Sequence, residues 1–204
     1  MRVLAGDIGG TKTVLAHYEG SPGEGWERLD EQRYASGDHV GLGPILRDFL
    51  GRTSVDAAAF GIAGPVRDGL CRITNLPWEV RQSLLEEQLG GVPVSLYNDL
   101  QAAALGMAVV DEAHLEWLQR GRPEPAGVMA LVGAGTGLGI SMLVPTANGP
   151  RVFATEGGHA DLAPRNPVEV ELLRFLQRRH GRVSVERAIS GTGLRVLHQF
   201  VVEQ

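Results

Sequence analysis

The chain has 204 residues, 43% of them hydrophobic and 21% charged, with a formal net charge of −5. This is the composition of a globular protein rather than a disordered one, and its net acidity lacks the basic face that a nucleic-acid or membrane-surface partner would require. The single cysteine, Cys71, cannot form an intrachain disulfide, the apolar N-terminal run is cut short by Asp7, and no run of about 18 apolar residues is present, so a cytoplasmic protein acting on small molecules is expected.

Residues 3–8 are apolar and run into Gly9-Gly10, and a second strand-like run, 13–18, follows at once, which predicts a β-hairpin. Residues 26–34 supply a third strand after a turn-rich Gly-Ser-Pro-Gly. Leu42, Ile45, Leu46, Phe49 and Leu50 recur at helical spacing and are stopped by Gly51, with Pro44 in the first turn. Strands are then expected at 57–62 and 70–74, a helix at 79–89 and a strand at 92–97. Strands alternating with helices argue an α/β fold. At Asn98 the pattern changes to a helix, with Asn98 as N-cap and Gln101 as its capping-box partner.

The polar, Pro-containing stretch 120–126 is the expected domain junction, giving a first domain of residues 1–110 and a second of 111–204. Apolar runs at 128–132 and 138–144 flank the glycine-rich 133–137, a second hairpin, and 152–155 is strand-like. Asn166, Pro167 and Glu169 mark N-cap, N1 and capping-box positions of a helix reaching about residue 179. Ser184 begins a short helix, and Ser190 opens a last one with Leu194, Leu197 and Val201 on one face. No stop signal precedes Gln204, so the chain reads as cut rather than finished.

Two glycine clusters invite a chemical reading. Asp7-Ile8-Gly9-Gly10-Thr11-Lys12 joins two strands, where glycine offers positive φ in a tight turn and room for phosphate oxygens to reach backbone N–H groups. An ordinary hairpin turn beside an acidic residue explains the first cluster equally well. The second cluster, 133–139, repeats the device, as expected where a phosphate chain is clamped between two similar domains. A strand rather than a helix follows its glycines, and no Walker lysine pattern is present, so neither dinucleotide nor P-loop fingerprints apply. Asn98 followed by Asp99 suits any helix start, and the spacing by itself favours that capping reading over a general base for a hydroxyl nucleophile, a role Asp99 also suits. His159, two glycines beyond Glu156, reads by itself as a structural histidine rather than a ligand contact. None of the six histidines is spaced with cysteine or carboxylate as a zinc ligand.

Taken together, Asp7-Ile8-Gly9-Gly10-Thr11-Lys12 and 133–139 resemble the two phosphate motifs of the hexokinase, actin and heat-shock chaperone ATPase superfamily. Within it, Thr74-Asn75-Leu76-Pro77-Trp78, Asn98-Asp99, Glu156-Gly157-Gly158-His159 and the segment 185–191 resemble the bacterial glucokinase family motif by motif, in order along the whole chain. The zinc-binding sugar kinases of the repressor and kinase family have cysteines after a similar Glu-x-Gly-His. Here Ala160-Asp161-Leu162-Ala163-Pro164 follows instead.

The resemblance implies a ribonuclease H-like actin/hexokinase fold of two lobes with the second incomplete, and an ATP-dependent glucokinase. By this likeness Asp99 is the catalytic base; Asn75, Asn98, Glu156, His159 and Glu186 contact glucose; Gly9, Gly10, Thr11, Lys12, Gly135, Thr136 and Gly137 bind ATP phosphates; and Asp7 holds Mg²⁺ through water. Family members are longer, which implies that the adenine-binding segment and part of the large domain lie outside this sequence. An exposed large-domain core would then favour a homodimer. A non-catalytic sugar-binding module, a kinase for another hexose, and ADP or polyphosphate as donor remain open alternatives.

Overall fold

The structure, a computed structural model, describes residues 1–110, 112–122, 124, 126–147 and 149–203. Pro123 and Pro125, within the stretch expected to join two domains, lie outside the described residues, as do Asp111 and Gln204. The chain divides into two compact units, Met1–Ala103 and Ala104–Gln204.

The first unit is built on a five-stranded sheet. Strands β1 (Arg2–Ile8), β2 (Lys12–Ser21) and β3 (Gly25–Ala35) form an antiparallel meander, while β4 (Ala57–Ile62) and β8 (Val94–Asn98) add in parallel, in the order β3-β2-β1-β4-β8. Of the two parallel strands, the inner β4 reads as a continuous apolar run, whereas β8, at the sheet edge, leaves Ser95 exposed. Helix α1 (Leu42–Leu50) buries Leu42, Ile45 and Leu46, the stripe its periodicity predicts, and ends at Gly51 with φ of 53°. That stripe joins Leu4, Ile8, Leu15, Phe60, Ile62 and Trp78 in one core.

A small sheet of β5 (Val66–Arg67), β6 (Leu70–Arg72) and β7 (Glu79–Arg81) rises from the β4 end. It corrects the expected helix at 79–89, because residues 79–81 pair with β6 and only α2 (Gln82–Gln88) is helical. Pairing Val80 with Cys71 sends Val80 into the core, while Glu79 faces Arg72 and Arg81 outside, so tertiary burial overrides helix propensity here. Helix α3 (Asp99–Met107) begins as the sequence dictates: Asn98 Oδ1 accepts the Leu100 N–H at 3.1 Å, and Gln101 Oε1 accepts the Asn98 N–H at 3.1 Å.

In the second unit, β9 (Met129–Ala134), β10 (Leu138–Val144) and β11 (Arg151–Thr155) make an antiparallel sheet in the order β11-β10-β9. Helices α4 (Pro167–His180), α5 (Val185–Ala188) and α6 (Gly191–Val202) gather around Phe175, Leu176, Val183, Ala188 and Phe200. Asn166 caps α4 by accepting the Glu169 N–H at 2.9 Å.

The buried face of α6 differs from the expected one. Leu194 and Val201 are 67% and 69% exposed, and Gly193, Phe200 and Val196 face inward instead. A Cβ on Gly193 would lie 2.5 Å from the Ala188 carbonyl oxygen, and Phe200 packs on Phe175 with centroids 5.4 Å apart. The glycine lets α6 approach α5 along that face, so close packing rather than the most apolar stripe sets the helix rotation.

Candidate active site

In the first unit, three strand ends meet. Asp7 pairs with Gly61 and Ile62 pairs with Asn98, so Asp7 and the Asn98-Asp99 pair lie along the same C-terminal edge with β4 between them. Two strand spacings put them about 10 Å apart. This edge of a parallel sheet is where helix starts and loop ends converge, and α/β proteins place their ligands there. Gly61 makes the arrangement possible, since a Cβ on it would meet the Ala102 Cβ at 2.9 Å and keep the first turn of α3 off β4.

The turn between β1 and β2 is held from beneath. Gly9 N–H donates to the Lys12 carbonyl at 2.9 Å. Fully buried Ser36 donates its N–H to the Thr11 carbonyl at 3.0 Å and its hydroxyl to the Gly9 carbonyl at 2.8 Å, with Thr13 Oγ1 3.0 Å from the same hydroxyl. The Gly9, Thr11 and Lys12 carbonyls are thus engaged on the protein side, whereas the Gly10 and Thr11 N–H groups have no protein partner among the described residues. Asn75 lies against this turn, 3.1 Å from where a Gly10 Cβ would be. Exposed Lys12 and Asp7 form no ion pair among the described residues.

Asp99 occupies the first position of α3, where its Oδ1 accepts the Leu100 N–H at 2.8 Å. The other carboxylate oxygen has no partner among the described residues. Burial pushes the Cys71 thiol above its ordinary pKa, and the negative charge of Asp99 pushes it further. Asn98 is largely committed: its oxygen caps α3 and its amide donates to the Gly64 carbonyl at 3.0 Å, leaving one N–H. Trp78 is a core residue, with its indole N–H donating to the His39 carbonyl at 3.1 Å.

The second unit repeats the turn. Gly135 N–H donates to the Gly137 carbonyl at 2.9 Å and Gly191 N–H donates to the Gly135 carbonyl at 2.7 Å, while the N–H groups of Thr136 and Gly137 have no protein partner among the described residues. Beside it, His159 stands between two carboxylates, its Nε2 3.7 Å from Glu156 Oε2 and its Nδ1 3.9 Å from Glu186 Oε1. Both gaps are too long for hydrogen bonds. Glu156 is 90% exposed and Glu186 only 26%. Thr155 fixes the bend between them, donating its hydroxyl to the Ile140 carbonyl at 2.9 Å and accepting the Gly157 N–H at 3.2 Å.

Positive φ is not the reason for glycine in either turn. Among the described residues, positive-φ glycines lie elsewhere, at positions such as Gly51, Gly69 and Gly181. Room is the reason: a Cβ would lie 3.0 Å from the Lys12 carbonyl oxygen at Gly9 and 2.5 Å from Glu186 Oε2 at Gly137. The candidate residues therefore form two groups: Asp7, Gly9, Gly10, Thr11, Lys12, Asn75, Asn98 and Asp99 in the first unit, and Gly135, Thr136, Gly137, Glu156, His159 and Glu186 in the second. Ser36, Thr13, Gly61 and Thr155 were invisible as site residues in the sequence, because each acts through a partner distant in the chain.

A glucokinase from Nostoc punctiforme is 40% identical over 204 residues, covering 98% of this chain and 60% of its own length. A crystal structure of a glucokinase from an Antarctic psychrotroph superposes with a TM-score of 0.90 at 27% identity, covering 99% of this chain and 64% of the other. A glucokinase from Balamuthia mandrillaris in complex with glucose shares the fold, with a TM-score of 0.69 at 21% identity over 99% of this chain and 63% of the other. The chain thus spans about 60% of the length of the curated relatives it matches. The family model described as Glucokinase matches residues 4–204, taking in both glycine turns and all the residues just described, and the chain belongs to the glucokinase family.

Proposed function

We propose that this chain carries the acceptor-activating and phosphate-binding machinery of a glucokinase, which transfers the γ-phosphoryl group of ATP to the 6-hydroxyl of glucose. The observation that carries the reading is Asp99: a carboxylate with one oxygen anchored on the Leu100 N–H and the other unpartnered among the described residues, at the C-terminal edge of a parallel sheet. A sugar hydroxyl is a weak nucleophile, and Asp99 accepts its proton as the oxygen–phosphorus bond forms. The remaining amide N–H of Asn98 and the side chain of Asn75 hold acceptor hydroxyls in the first unit. Glu156, His159 and Glu186 do so in the second, where the spaces around the imidazole suit hydroxyl groups bridging nitrogen and carboxylate. The N–H groups of Gly10 and Thr11, and of Thr136 and Gly137, unpartnered among the described residues, receive phosphate oxygens, with Lys12 adding positive charge.

Asp7 fits a hydrated Mg²⁺, because a single exposed carboxylate without an ion-pair partner among the described residues matches a cation that keeps most of its waters and takes phosphate oxygens for the rest. When bound, the ion neutralises charge on the transferring phosphate. The compartment we propose is the cytoplasm; among the described residues no helix is long and apolar enough to cross a membrane. Self-association into a homodimer is proposed through β9. Among the described residues this strand pairs only with β10, and its sequence Met-Ala-Leu-Val-Gly-Ala has none of the charges that protect an edge.

The test is a coupled assay for glucose 6-phosphate with ATP and Mg²⁺, using the chain alone and joined to the C-terminal part of a curated relative. Turnover in either form that Asp99→Asn abolishes supports the proposal. Glucose binding without turnover in both forms overturns it in favour of a non-catalytic sugar-binding module.

A further inference from the structure

Leu138, the residue that follows the second glycine turn, is held at its N–H and approached at its carbonyl by the segments assigned to the sugar. Leu138 N–H donates to Glu186 Oε2 at 2.9 Å across 48 residues of sequence. On the other side, the Leu138 carbonyl oxygen lies 2.0 Å from where a Cβ on Gly158 would be, so the Glu156-Gly157-Gly158-His159 bend presses directly on it. Gly137 is open for the same reason, since its missing Cβ would stand 2.5 Å from the Glu186 oxygen that reaches Leu138. The carboxylate therefore enters through the gap left by Gly137 and fixes the exit of the turn. The Gly191 N–H, 2.7 Å from the Gly135 carbonyl, fixes its entrance.

Glu186 has its second oxygen to spare. Oε1 faces His159 Nδ1 at 3.9 Å, a separation that leaves its lone pairs for another donor. We propose that Glu186 is a positioning residue for the glycine turn as well as a sugar contact, one oxygen on the acceptor and the other on Leu138 N–H, so that sugar occupancy and the geometry of the phosphate-binding N–H groups are coupled. This rests on the acceptor assignment made above. A single rigid carboxylate group serves both oxygens, so fixing Oε1 on a hydroxyl also fixes the direction of Oε2. By linkage, any change that displaces Oε2 from Leu138 must weaken the sugar. Glycine 137 thereby becomes a determinant of sugar affinity without touching the sugar.

The experiment uses the chain itself, ¹⁵N-labelled, with glucose as probe. In the wild type, glucose shifts the His159 ring protons and at the same time slows hydrogen exchange at the Leu138 amide. Glu186→Gln, which keeps an acceptor oxygen, retains protection of that amide without sugar, and Glu186→Ala loses it. Gly137→Ala weakens glucose binding by about 5–50-fold, within the usual range for coupled sites. If glucose shifts His159 but leaves Leu138 exchange unchanged, the coupling is wrong while the acceptor assignment stands. Should Gly137→Ala not fold, that wild-type exchange measurement decides alone. If glucose shifts neither, both the acceptor assignment and the coupling fall.

Discussion

The hydroxyl of Ser36 donates to the carbonyl of Gly9 at 2.8 Å, across 27 residues of sequence, and so ties the end of β3 to the first glycine turn. Because Ser36 is fully buried and its hydroxyl also lies 3.0 Å from Thr13 Oγ1, Ser36→Ala strands two polar groups without water. Its expected cost is about 1–3 kcal/mol. Urea unfolding followed by tryptophan fluorescence, to which Trp78 in the core of the first unit contributes, measures it, and a midpoint unchanged from wild type would remove Ser36 from this role.

For Asp99, the expected effect is on turnover. A general base contributes about 10²–10⁴-fold, so Asp99→Ala in a form that turns over loses that much in kcat, with glucose binding much less affected. Steady-state kinetics beside glucose titration separate the two, and a kcat within tenfold of wild type excludes the base role.

Two glycines near the second turn should answer differently to the same substitution. Gly158→Ala drives a Cβ to 2.0 Å from the Leu138 carbonyl oxygen, whereas nothing lies within 4 Å of a Cβ on Gly135. Thermal melts should show Gly158→Ala destabilised by about 1–3 kcal/mol, the usual cost of overpacking, and Gly135→Ala close to wild type.

Tyr34 predicts an alkaline effect. Burial raises its pKa above the ordinary tyrosine value, and its hydrogen bond to Asp48 Oδ2 at 2.9 Å, with the charge of that carboxylate, raises it further. A phenol whose folded pKa exceeds its unfolded one gives stability that is complete below about pH 10 and is lost as pH rises beyond it. Tyr34→Phe should therefore be less stable than wild type at neutral pH and show a smaller loss above pH 10. Absorbance at the phenolate band should show one tyrosine ionising only on unfolding.

The bare edge of β9 predicts concentration-dependent association. In contrast, β3, an edge strand of the first unit, carries Glu27, Arg28, Asp30, Glu31 and Arg33. Val132→Lys places a charge on an exposed β9 side chain and should shift light-scattering mass toward the monomer. A wild type that is monomeric at every concentration would sink the homodimer proposal.

Much of the fold was legible wherever one local rule decided the outcome. The α1 stripe, the Asn98–Gln101 and Asn166–Glu169 capping pairs, and the glycine-flanked strands all depend on residues within a few positions of each other. Legibility failed where burial outweighed propensity, as at Glu79–Arg81, drawn into a strand by β6, and at α6, turned by Gly193 and Phe200 away from its most apolar stripe.

For the site, the sequence by itself determined the chemistry on offer: two glycine turns, a helix-start carboxylate, and a histidine among glutamates, in a glucokinase-like order. Only the tertiary structure decided which of these groups are already spent. It commits the Asn98 amide to Gly64, holds one oxygen of Glu186 on Leu138, and leaves the Gly10, Thr11, Thr136 and Gly137 N–H groups without protein partners among the described residues. The physical reason is that a hydrogen bond is settled by distance in space, and the long-range ones that hold both turns join residues 25 to 56 positions apart.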